Sequence, residues 1–153
     1  MVSSTTRSRV ALVGEGVAGI GLAAVLDVIV FHLVFQTHHL LSNIYTHETL
    51  RGLRQNIYYD GLFVLGMLGV MLCGAGLLWR AANGSSHRVS TLAVVGAVLV
   101  GMGVFNVFDG IVDHYVLGIH DAVHGTAVWN PPWILVSLAL LVLGGGLLQR
   151  SRR

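Results

Sequence analysis

Lysine is absent from the chain, and all nine cationic side chains are arginines scattered in small groups. No basic face follows from that distribution, which argues against a nucleic-acid partner. Cysteine occurs once, at Cys73, so neither an internal disulfide nor a zinc-finger cysteine pattern can be built. Charged residues make up 10% of the 153, against roughly a quarter in a soluble domain. No arrangement of nucleophile, base and oxyanion donors is legible, which disfavours a hydrolase and leaves enzymatic activity open.

What is present points to lipid. Hydrophobic residues reach 54%, with twenty glycines, and the mean hydropathy is +0.75. Four apolar runs cover about 10–35, 57–79, 89–119 and 133–148. Each reaches or approaches the roughly 20 residues that cross the hydrocarbon as helix. Polar connections separate them: 42–56, 82–87 overlapping AANGSS, and 125–132 with NPP. The first run is too long for a signal peptide and holds acidic residues, so it reads as a retained span. The expected fold is all-α, one integral membrane domain over 1–153 with four transmembrane helices.

Arginines set the expected orientation. Arg7, Arg9, Arg80, Arg88, Arg150, Arg152 and Arg153 share one side, against Arg51 and Arg54 on the other. The excess puts both termini in the cytoplasm. Seven of the eight histidines and six of the seven acids then lie toward the outer side.

GEGVAG at 14–19 matches a dinucleotide-binding glycine fingerprint, but no βαβ unit surrounds it. Gly14, Ala18, Gly19 and Ala23 read instead as small residues for close helix packing in lipid.

An offset of 82 lays GIGLAAVLDVIVFHLVFQTH (19–38) over GMGVFNVFDGIVDHYVLGIH (101–120), with nine of twenty positions identical. The matches include Asp27 with Asp109, His32 with His114, and His38 with His120. Apolar identities arise easily between glycine-rich spans; three matched ionisable positions do not. The chain therefore reads as two parallel helix-pair repeats, about 10–80 and 88–150, with a site at their interface. This pattern, DGI-x-x-H-x-x-L-x-x-HH repeated in four spans, together with DGLF at 60–63, resembles an uncharacterised bacterial family of predicted membrane proteins. The resemblance implies the four-span fold and carries no activity. The chain departs from the pattern at Val28, Val64 and Asp121.

At about 100° per residue, Asp109, Asp113, His120 and His124 share one stripe of a straight helix. His114 and Asp121 fall on a second stripe; likewise Asp27 goes with His38, and His32 with His39. One straight helix cannot aim all its histidines at one ion, so two helices must each contribute a stripe. A crossing is already complete by Phe108, which puts the cluster at the outer interface.

Imidazole beside carboxylate suits copper, zinc or iron. The candidate ligands are His32, His38, His39, His114, His120, His124, Asp27, Asp60 and Asp109. His47, His87 and Glu48 are expected only to pair near water, and Met67, Met71, Cys73 and Met102 to pack. The leading expectation is transition-metal binding at the outer face, in metal handling or redox chemistry, with a respiratory or metal-handling membrane complex as partner. A haem b held by His32 and His114 is the alternative. A proton-linked transporter or a ligand-free assembly subunit are further ones.

Overall fold

The computed structural model of the protein describes residues 4–83 and 90–151. His87, Arg88, Arg152 and Arg153 lie outside the described residues. Four helices are long and apolar enough to cross a membrane: Arg9–Val34, Leu50–Ala82, Thr91–Val116 and Ala127–Arg150. No strand occurs among the described residues, where the sole β pairing is an isolated Val123–Thr126 bridge. The expected all-α four-helix bundle is what the chain forms.

The helices are α1 (Ser4–Asp27), α2 (Leu50–Ala82), α3 (Thr91–Phe108) and α4 (Asn130–Arg150). α2 starts seven residues before the apolar run because the Thr49 hydroxyl accepts from Gly52 N–H and caps it. α4 starts early too, with Pro131 and Pro132 in its first turn, where helix N–H groups have no partner anyway.

The bundle is inside-out by soluble standards. α2 buries Gly52, Asn56, Asp60, Gly74 and Ala81 while exposing Leu65, Leu72 and Trp79. Small and polar residues face the neighbours; large apolar ones face outward, as lipid requires. Close backbone approach makes this possible. A Cβ on Gly14 would sit 2.9 Å from Gly74 O, and one on Gly96 would sit 2.9 Å from Gly144 O. Gly19 and Gly101 meet the backbones of Val98 and Gly16 in the same way. GEGVAG is thus packing surface, as its context suggested.

The outer ends of the first and third spans are not α-helix. α1 passes into a π-helical segment, π1 (Val28–Val34), and α3 into π2 (Asp109–Val116). Phe35 N–H donates to Val30 O at 2.8 Å, and Leu117 N–H to Val112 O at 2.7 Å. Both segments end on a left-handed residue, Gln36 (φ 51°) and Gly118 (φ 60°). Thr37 N–H then reaches Phe31 O at 2.9 Å, and Ile119 N–H reaches Asp113 O at 3.0 Å. The offset of 82 seen in the sequence relates each member of these pairs to the other.

Candidate metal centre

Each π segment folds two histidines back over the aspartate that precedes or begins it. His32 Nε2 lies 3.3 Å from Asp27 Oδ2, and His38 Nε2 lies 3.9 Å from Asp27 Oδ1. His114 Nε2 and His120 Nε2 each lie 3.3 Å from one oxygen of Asp109. In each trio one atom per residue comes within 4.8 Å of the other two. All six residues are at most 5% exposed.

This geometry corrects the straight-helix stripes, which set His32 apart from Asp27 and His38, and His114 apart from Asp109 and His120. A π segment takes more residues per turn than the 3.6 assumed, and the left-handed residue then reverses the chain. Both histidines of each half thereby reach one carboxylate.

The two trios adjoin. His38 and His120 stack with centroids 5.0 Å apart and planes 1° from parallel. His32 lies 4.5 Å from His38, and His114 lies 4.7 Å from His120. Anchoring is reciprocal: His38 Nδ1 lies 3.1 Å from Ala122 O, and His120 Nδ1 lies 3.1 Å from Leu40 O. A carbonyl only accepts, so both rings carry a hydrogen on Nδ1 and, in the neutral form, present a lone pair at Nε2. His32 is fixed the same way, its Nδ1 donating to Asp60 Oδ1 at 2.8 Å. The Nε2 atoms of His32, His38, His114 and His120, with Asp27 Oδ1 and Asp109 Oδ2, are buried without a hydrogen-bond partner. Burial, and then the neighbouring His32 and His120, push His38 down to about 2, so that ring is neutral at physiological pH.

Asp60 sits behind the first trio. Besides His32, it accepts from His39 Nδ1 at 2.8 Å and from Leu40 N–H at 2.9 Å. His32, His39 and Asp60 form a third close group, but its short contacts are hydrogen bonds that already use both Nδ1 atoms. Asp60 thus braces both His32 and His39 through their Nδ1 atoms. His124 stands apart from both trios. Its ring is 5.5 Å from His39 and stacks on His47 at 3.8 Å. Burial, and then His47 and His39, lower it to about 4.

Several contributors were invisible in the sequence. Asn130 is buried and bonds Asp121 and Ala122 N–H. Asn56 donates to Tyr45 O at 2.7 Å and ties down the loop before α2. Trp133 walls one side, 5.2 Å from Phe31 and 5.9 Å from His38. Met67 and Met102 pack against the Ala23, Ala24 and Phe105 core, and Cys73 is exposed. Glu15, toward the end of the bundle that carries the termini, is only 4% exposed.

The sequence profile of one family matches residues 15–151. The chain belongs to the DUF2243 family of predicted membrane proteins. No curated protein and no solved structure matches it. The matched stretch of this DUF2243 protein holds both trios, Asp60 and Asn130. Beside them a crevice of about 370 Å³ runs along Trp133, Phe31 and Asn106. A smaller space of about 130 Å³, sharing those three residues, reaches Asp27.

Proposed function

We propose that this protein binds transition-metal ions in its two Asp–His–His trios, at the outer face of a bacterial cytoplasmic membrane, with both termini inside. One observation carries the reading. The Nε2 atoms of His32, His38 and His120, whose Nδ1 atoms are engaged elsewhere, and of His114 face carboxylate oxygens in a buried interior. Acceptor against acceptor is repulsive, and each unpaired buried polar group costs about 1–3 kcal/mol. A cation between them turns the same contacts into ligand bonds. Nitrogen and oxygen donors with a histidine braced by a second carboxylate fit zinc, copper or iron.

Haem between His32 and His114 has less support, because the stacked His38 and His120 lie between those rings. The small space reaching Asp27 suits exchange of a bound ion or access of a small ligand. Metal handling, alone or within a respiratory complex, is therefore favoured over a purely structural role.

The test is multi-element mass spectrometry of detergent-purified protein, giving metal atoms per chain before and after incubation with each ion. Stoichiometric metal, lost in a His38→Ala/His120→Ala variant that still folds, is expected. Absence of metal above background after every incubation overturns the reading.

A further inference from the structure

The helices that flank the two trios do not match. Gly74 of α2 packs on Gly14, and Gly144 of α4 packs on Gly96, which lies 82 residues beyond Gly14. Gly21 meets Met71, and Gly103 meets Leu141. Both pairs set the offset between α2 and α4 at 70 residues. That offset puts Asn130 where the first half has Asp60. The bonds agree: Asp60 Oδ1 accepts from Leu40 N–H at 2.9 Å, and Asn130 Oδ1 accepts from Ala122 N–H at 2.9 Å. Where Asp60 holds His39, Asn130 holds Asp121, donating to its Oδ1 at 2.7 Å. The third bond has no counterpart. Asp60 grips His32 Nδ1, whereas His114 Nδ1 is buried with no partner.

Resting on the metal reading, we infer that the two trios hold ions of unequal affinity: Asp27–His32–His38 keeps its ion, and Asp109–His114–His120 exchanges it. A carboxylate on the far nitrogen fixes an imidazole's orientation and raises its basicity, and losing such a partner typically costs 10–100-fold in metal affinity. His32 has that partner and His114 does not. The pair thus combines a resident ion with a transferable one of the same class, a divalent ion such as Zn²⁺ or Co²⁺.

The experiment titrates metal-free protein in detergent with Co²⁺, following its visible bands, with chelator competition for each step. Wild type is expected to take two ions at affinities 10–100-fold apart. Repulsion between two cations also separates the steps, but it does so equally in Asp60→Asn. In that variant the amide oxygen still accepts from Leu40 N–H and His32 Nδ1 but lacks the carboxylate's charge, and the tight step is expected to weaken toward the loose one. Asp121→His/Asn130→Asp rebuilds the His39–Asp60 arrangement in the second half and is expected to tighten the loose step alone. That gain keeps the inference testable if Asp60→Asn does not fold. Two ions whose separation neither variant changes overturn the inference and leave the metal reading standing; a single ion per chain overturns the inference and cuts the metal reading back to one site. No ion at all overturns both.

Discussion

The two ends of the bundle are held by opposite means. Toward the termini, Gly14, Gly74, Gly96 and Gly144 let backbones touch, and cohesion comes from dispersion between closely fitted helices. At the other end the first and third spans lose α geometry, and buried Asp60, Asn56 and Asn130 hold the adjoining segments by side-chain hydrogen bonds. The first end tolerates no added volume and has few polar bonds to lose. The second is held by directional bonds, each of which strands a partner when removed. The molecule separates a dry frame from a polar head, which allows a costly cluster without loosening the span.

Substitutions at each end sharpen that contrast. The largest expected effect is at the polar head. Asp60→Ala strands His32 Nδ1, His39 Nδ1 and Leu40 N–H, and should destabilise metal-free protein by at least about 3 kcal/mol, since each buried donor left without an acceptor costs about 1–3 kcal/mol. Denaturant unfolding in detergent measures it; a loss below about 1 kcal/mol would show that the head is not held this way. Next comes Gly101→Val, whose side chain meets Gly16 O and Ile20 N. Overpacking there should cost about 1–3 kcal/mol while leaving metal stoichiometry in the folded fraction intact. A variant that folds normally but loses metal would reverse the assignment of the two ends.

Smaller effects run toward stability. Gln36 is exposed and left-handed where the second half uses Gly118. Gln36→Gly should relieve about 1–2 kcal/mol of backbone strain, read as a higher midpoint in the same unfolding assay; an unchanged or lower midpoint would deny the strain. The smallest effect is Gly66→Ala, where nothing lies within 4 Å of the new methyl. Better helix propensity should give a gain below about 1 kcal/mol. A clear loss would mean that surface is packed against something.

The sequence carried the frame well, because apolar length and small-residue spacing determine spans and their packing almost locally. It also carried the two Asp–His–His sets, through the offset of 82. It failed on how they close. A period of 3.6 residues separates His114 from Asp109 and His120, and nothing in residues 109–116 announces a wider turn. Gly118, two positions before His120, was the available signal of a chain reversal, but Gln36 at the equivalent place hid it. Asp60 was legible as a candidate ligand, not as a brace, since that role depends on where α2 docks. Asn130 was not legible at all: a lone asparagine before two prolines reads as a turn, and only the glycine contacts of α2 and α4 align it with Asp60.

The crossed anchoring of His38 on Ala122 O and His120 on Leu40 O also bears on biosynthesis. Each ring gets its fixed tautomer from a carbonyl in the other half of the chain. A ribosome delivers Leu40 about eighty residues before His120, so the first hairpin can enter the membrane long before its own ligands are set. Neither trio is complete in a half-made chain. The polar head is therefore finished only after the third span has emerged, and a product truncated before Ala122 lacks the carbonyl that orients His38.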